Sequence, residues 1–318
     1  MKRFRKLPHD IKIRVRLVGL LAVVLLLSLG FTGRALANHR LIQENTDTAA
    51  SPQKIKAVQK QVKNRLQRYA DQITADKTAS VYFYNLTPTH PTKGWSHQLY
   101  QPGKLAVSSN AHAPVVAAST YKLYMAGFLF SQAKAGNFVW NSTNENGFRH
   151  MIVNSENDFA ESELDQFGLA PINSLVQQLG GYTPTFIEGQ SATTTATSLG
   201  LTLRALANKQ APFQNTHNQQ WLLKLMGQQI YRKGIPAGAT AAQTGSKVAD
   251  KVGFFADENN DAGIVTLPNG QRYILVVMTH GHQQSGLSGF PRIATITKQI
   301  QEIVYGSKTT NQVAPRAR

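Results

Sequence analysis

The chain has 318 residues, no cysteine, and 34 basic residues against 17 acidic ones, a formal charge of +17. The missing cysteines exclude disulfides, thiolate metal sites, a cysteine nucleophile and a lipoprotein anchor. With 42% apolar and 16% charged residues, the chain can bury a core, which excludes wholesale disorder.

The charge is unevenly spread. Residues 1–37 hold eight basic groups and one acid, Asp10, leaving a net +10 on the remainder. No aromatic-interleaved basic cluster or Gly-rich phosphate loop accompanies that excess, so no nucleic acid is expected as a partner. An anionic polymer or lipid surface suits it better.

Residues 1–16 read as a basic cytoplasmic segment and residues 17–33 as a signal anchor or signal peptide. The apolar run at 17–31 has 15 residues, between the ~7–15 of a signal h-region and the ~20 of a spanning helix. Ala35-Leu36-Ala37 fits a cleavage pattern, yet the long basic flank and Arg34 favour an uncleaved anchor. On either reading the basic flank stays inside, and residue 38 onward lies outside the cytoplasm. The expected location is therefore the cell membrane, single-pass with the domain outside, or secretion if the chain is cut after Ala37. Residues 38–51 form a polar stalk.

A domain is expected over residues 52–307. Ile55, Val58, Val62, Leu66 and Tyr69 recur at spacings of three and four, predicting an amphipathic helix over 52–73. Residues 80–86 are β-branched and aromatic, predicting a strand, and 87–94 read as a loop. Helix is expected over 119–135 and over most of 148–207, with breaks at Gly168, at Gly180-Gly181 and at Pro184. Residues 247–256, 262–267 and 272–280 read as strands, with turns at 257–261 and 269–270. Residues 293–305 form a closing helix, and 308–318 a basic disordered tail. Strands early and late with helices between them imply one α/β (α+β) domain, its mostly antiparallel sheet flanked by helices.

Three segments can carry chemistry. In Ser119-Thr120-Tyr121-Lys122 the lysine lies three residues from the serine, on one helical face. A desolvated lysine there can take the serine proton. The pattern recurs at Ser51/Lys54 and Ser131/Lys134, but only Ser119 follows an apolar approach and opens a helix. The second segment is Ser155-Glu156-Asn157, which taken alone also reads as a helix cap. The third is Lys251-Val252-Gly253-Phe254 on a predicted strand, which taken alone also reads as a strand edge.

In this order, Ser-x-x-Lys, Ser-x-Asn and Lys-x-Gly resemble the penicillin-recognising serine hydrolases, specifically class A β-lactamases. Met151-Ile152, Leu179-Gly180-Gly181, Thr193-Thr194-Thr195, Leu203-Arg204-Ala205-Leu206 and Asn260-Asp261 extend the likeness over about residues 60–306. The resemblance implies a class A β-lactamase/transpeptidase-like fold with no metal or organic cofactor. It makes Ser119 the acylated nucleophile, Lys122 its activator and Ser155 the proton carrier to the leaving nitrogen. Asn157 would hold the substrate amide, and Lys251 would attract a substrate carboxylate. Gly253 would let the substrate approach, and the amides of Ser119 and Phe254 would form the oxyanion hole.

The family's pattern is also broken in places. Val252 stands where threonine is usual, and Glu156 where aspartate is. The loop that carries Glu-x-x-Leu-Asn in the family is short here, with Glu188 its only acid. Only 36 residues separate Ser119 from Ser155, which implies a trimmed all-helical lobe. The expected activity is a membrane-tethered extracytoplasmic serine acyl hydrolase with slow β-lactam deacylation. Its expected partners are a cell-envelope D-alanyl substrate or β-lactam and an anionic wall polymer. The alternatives are a genuine class A β-lactamase using Glu188, and a non-catalytic wall-binding module. His280 and His282 have no evident third ligand and read as strand-end histidines rather than a metal site.

Overall fold

The computed structural model describes residues 50–90 and 92–314. The basic segment, the apolar run, the cleavage pattern and all but the last two residues of the stalk lie outside the described residues. So do residues 315–318. Among the described residues, no helix is long and apolar enough to cross a membrane.

Five antiparallel strands build the main sheet. They are β1 (Ala79–Leu86), β2 (Val107–Ser109), β5 (Lys247–Phe255), β6 (Glu258–Thr266) and β7 (Arg272–Thr279), in the order β2-β1-β7-β6-β5. The first strand therefore pairs with the last, Val81 opposite Val277. Side chains alternate between faces. Tyr82, Leu86, Ile274, Val276 and Met278 join the core of the helical lobe. Phe83 and Tyr273 face the other way, where Tyr273 stacks on Tyr305 at 5.6 Å and donates to Gln301 at 2.7 Å. That second face is covered by α1 (Pro52–Ile73), α9 (Ile235–Ala242) and α10 (Phe290–Tyr305). Helix α1 buries the expected stripe, with Ala70 rather than Tyr69 completing it.

The lobe comprises α3 (Lys122–Ala135), α4 (Ser142–Val153), α5 (Asp158–Phe167), α6 (Leu169–Gln178), α7 (Ala196–Ala207) and α8 (Thr216–Gly227). A short helix, α2 (Gly94–Leu99), precedes β2. Every residue of α3 from Lys122 to Phe130 is buried. A helix enclosed all round has no polar face, so the lysine in its first turn is forced out of water. A two-stranded sheet of β3 (Val115–Val116) and β4 (Thr193–Thr194) ties the approach to Ser119 to the segment before α7.

Three expectations need correction. The turn expected at 257–261 contracts to Ala256-Asp257, and β6 begins at Glu258. Polar residues there form a strand because each finds a partner. Asn259 donates to Gly286 O, Asn260 to Val116 O, and Asp261 accepts from Ile235 N. The helical stretch 148–207 is also interrupted at 154–157, where Ser155 adopts a left-handed φ of 66°. The tail is ordered as far as Ala314: α11 (Ser307–Thr310) forms, Thr309 and Val313 are buried, and Arg65 donates to Thr309 Oγ1 at 2.7 Å.

Candidate active site

Ser119 lies on a 3-10 turn, Ala118–Tyr121, that runs straight into α3. The lysine three positions on consequently reaches back along one face. Lys122 Nζ is 2.9 Å from Ser119 Oγ. It also donates to Ser155 O at 2.7 Å and to Asn157 Oδ1 at 2.6 Å. A neutral amine has two N–H groups and one lone pair. In that neutral form the two carbonyl oxygens would take the two hydrogens and the lone pair would face the serine hydroxyl. Burial lowers the Lys122 pKa to about 8, against an opposing pull from Glu161 and then Glu156.

Ser155 links both lysines. Its carbonyl meets Lys122, and its Oγ accepts from Lys251 Nζ at 2.6 Å. The left-handed backbone at Ser155 places its two oxygens on different partners, a conformation that costs a non-glycine residue about 1–3 kcal/mol. Ala118, immediately before Ser119, is likewise left-handed at φ 44°. Lys251 is fully buried and donates also to Val252 O at 2.9 Å. Burial first, and the neighbouring Lys122 charge second, push its pKa well below the usual lysine range, while Asp250 and Asp261 pull it back.

Gly253 is where β5 touches the turn that carries Ser119. A Cβ there would stand 2.8 Å from both Ala117 O and Ser119 N. Asn260 holds the same turn from β6, donating to Val116 O at 2.9 Å and Ala117 O at 3.2 Å. Phe254 packs edge-on against Tyr231 at 5.2 Å, and Val252 is fully enclosed. Asn157 precedes α5 but makes no side-chain cap bond, because its oxygen is given to Lys122. Glu156 is turned outward, meeting His150 at 3.0 Å.

All seven expected site residues thus come together, from three segments. Ser119, Asn157 and Phe254 line one cleft of about 200 Å³, together with Tyr121 and Glu161. Glu188 is exposed in the loop after α6 and is not part of that lining. Glu161 is the carboxylate that sequence reasoning missed. Its signal was its place one helical turn beyond Asn157, which sets both on one face. A larger cavity of about 500 Å³, with Arg232, Lys247 and Arg272 in its wall, lies at the other end of β5. It contains none of these groups, all of which lie at or beside the smaller cleft. His282 meets Asp76 at 2.7 Å, and His280 lies 3.1 Å from Lys77 O.

The sequence model of the Beta-lactamase enzyme family matches residues 142–306, just over half of the chain. No curated protein matches it in sequence. Among solved structures, PBP-A is similar at 21% identity and a TM-score of 0.59, covering 77% of this chain and 96% of that one. A PBP-A mutant in acyl-enzyme complex with penicillin G is 21% identical with a TM-score of 0.58, over 75% of this chain and 97% of that one. A class A beta-lactamase from Bacteroides cellulosilyticus DSM 14838 is 17% identical with a TM-score of 0.58, over 79% and 98%. At these identities the likeness establishes the fold.

Proposed function

Because this chain belongs to the beta-lactamase enzyme family and is a serine hydrolase of class A β-lactamase-like fold, we propose that it forms an acyl-enzyme on Ser119 from β-lactams or from D-alanyl amide or ester bonds of the cell envelope. Lys122 takes the hydroxyl proton as Ser119 Oγ attacks the carbonyl carbon. The developing oxyanion is held by the amides of Ser119 and Phe254. Ser155 hands its proton to the leaving nitrogen and takes another from the Lys251 ammonium to which its Oγ is hydrogen-bonded. Asn157 orients the substrate amide. Lys251 is a desolvated amine with no carboxylate in hydrogen-bond contact among the described residues, so an incoming substrate carboxylate supplies the counter-charge that favours its ammonium form.

The observation that carries this reading is the arrangement at Lys122. Its Nζ contacts two carbonyl oxygens, Ser155 O and Asn157 Oδ1, and its third contact is Ser119 Oγ. We further propose that β-lactam deacylation is slow, since the loop carboxylate Glu188 stands outside the cleft. The basic flank and apolar run at 1–33, with the +10 charge beyond residue 37, favour a membrane-tethered domain outside the cytoplasm beside anionic wall polymer.

Intact mass after incubation with penicillin G, followed over hours, tests the chemistry. One adduct is expected, abolished by Ser119→Ala. No adduct, or an adduct that survives that substitution, overturns it. Protease added to intact protoplasts tests the location, because full protection of the domain is incompatible with an external position.

A further inference from the structure

Breaking the Ser119 ester requires a water and a base to activate it, and the geometry points to Glu161 as that base. This inference rests on the acyl-enzyme reading above and adds to it the residue that ends each turnover. Glu161 follows Asn157 by one turn of α5, its amide bonded to Asn157 O at 2.9 Å. Residues four apart on a helix share a face, so Glu161 stands on the side from which Asn157 reaches Lys122. Its side chain lines the same cleft as Ser119, and no other carboxylate does so among the described residues. The small residues Ser191 and Ala192 form part of the same wall.

The other acids nearby are occupied or distant. Glu156 is engaged by His150, and Glu188 lies outside the cleft. The Glu161 carboxylate accepts no hydrogen bond and makes no ion pair among the described residues, so it is open to a water. Its negative charge is also the larger of the two acidic influences that favour the ammonium form of Lys122, which places it within electrostatic reach of the reacting atoms.

The step balances as follows. A water bound to the Glu161 carboxylate attacks the acyl carbonyl carbon, forming a C–O bond while the carboxylate takes one of its protons. The tetrahedral intermediate collapses and the bond between that carbon and Ser119 Oγ breaks. Oγ is reprotonated by the Lys122 ammonium 2.9 Å away, which returns Lys122 to the neutral amine, and Glu161 releases its proton to solvent. The freed acid loses its own proton to solvent. An exposed carboxylate with no fixed partner does not pre-organise its water, and preorganisation is what makes such a group efficient. Slow turnover through Glu161 is therefore consistent with the site.

The test compares penicillin G adduct formation and decay in the wild-type chain, Glu161→Gln, Glu161→Asp and Glu188→Gln. Expected is an adduct in all four. Its decay should slow about 10²-fold in Glu161→Gln, the low end of a general base's contribution, with an intermediate effect in Glu161→Asp and none in Glu188→Gln. The pH dependence of acylation should also move to lower pH in Glu161→Gln, because Lys122 loses a neighbouring negative charge. That shift reads the Glu161 charge beside Lys122, whereas the decay rate reads its role as the base. Equal decay in wild type and Glu161→Gln, or arrest by Glu188→Gln instead, overturns the role of Glu161 and leaves the acyl-enzyme reading standing. Absence of any Ser119 adduct overturns both.

Discussion

Lys251 Nζ lies 2.6 Å from Ser155 Oγ, across a separation of 96 residues in the chain. The contact exists because Ser155 sits in a left-handed conformation between α4 and α5, which turns its hydroxyl to the sheet and its carbonyl to Lys122. One residue thereby joins the helical lobe, the sheet and the nucleophile's partner.

Ser155→Gly and Ser155→Ala separate backbone from hydroxyl. Both remove the partner of Lys251, so both should slow acylation by about 10²-fold, the scale of a lost proton carrier. Glycine adopts a positive φ freely, while alanine retains a strain of about 1–2 kcal/mol. Thermal melts should therefore place the glycine variant above the alanine variant. The reverse order would mean that the left-handed backbone stores no strain.

Acylation should depend on pH through Lys122. Burial lowers its pKa to about 8, and the neutral amine is the base. The rate should thus rise with pH, by about tenfold per unit below pH 8, and level off above it. Lys122→Arg, which cannot give up its proton in this range, should lose about 10²–10⁴ in rate. Stopped-flow acylation from pH 6 to 10 checks both. A flat profile would remove Lys122 from the proton transfer.

Gly253 is a steric requirement. A Cβ on it meets Ser119 N and Ala117 O at 2.8 Å, both backbone atoms of a turn that Asn260 already fixes. Gly253→Ala must push β5 away from the nucleophile or distort the turn. We expect a stability loss of about 1–3 kcal/mol, as for other overpacked positions, and a larger proportional loss of acylation, measured by melting temperature and adduct formation on the same sample.

The parts of this structure legible in the sequence are those with a local period. The three-residue step from Ser119 to Lys122, the apolar stripe from Ile55 to Leu66 and the β-branched run of β7 each follow from neighbours in the chain. What was not legible depends on distant partners. Residues 258–261 read as a turn by composition, yet Asn259, Asn260 and Asp261 are buried strand residues whose amides and carboxyl are matched by Gly286, Val116 and Ile235. Glu161 carries a helical-spacing signal from Asn157, but its place in the cleft of Ser119 depends on how α5, the turn of Ser119 and β5 come together around that cleft. Residues 307–314 lack an apolar stripe. They are held by the burial of Val313 and by Arg65, 244 positions upstream of Thr309.

Behind the site, Asp250 and Asp261 point from β5 and β6 to the same side, and both are fully buried. Asp250 Oδ1 accepts from Arg232 at 2.5 Å, and Asp261 Oδ2 accepts from Ile235 N at 2.8 Å. Each keeps one buried oxygen, Asp250 Oδ2 and Asp261 Oδ1, with no other protein partner among the described residues. Two carboxylates in one dry site disfavour each other's ionisation, so a proton shared between them is the arrangement we predict. Desolvation accordingly raises the Asp250 pKa to about 7 and lifts Asp261 well above the usual carboxylate range. The native state then binds more protons than the unfolded chain from about pH 4 upward. This contribution to stability is complete at low pH and is lost as pH rises, through about 7 for Asp250 and through the raised range of Asp261. Asp261→Asn keeps the shape and replaces the shared proton with a permanent N–H donor to Asp250 Oδ2, while its oxygen still accepts from Ile235. The variant should be less sensitive to pH across this window and more stable than wild type at pH 8, by about 1 kcal/mol, the scale of one net hydrogen bond. Melting temperatures from pH 4 to 9 decide it. An equal loss of stability at every pH would show that Asp261 contributes as an ordinary carboxylate and shares no proton.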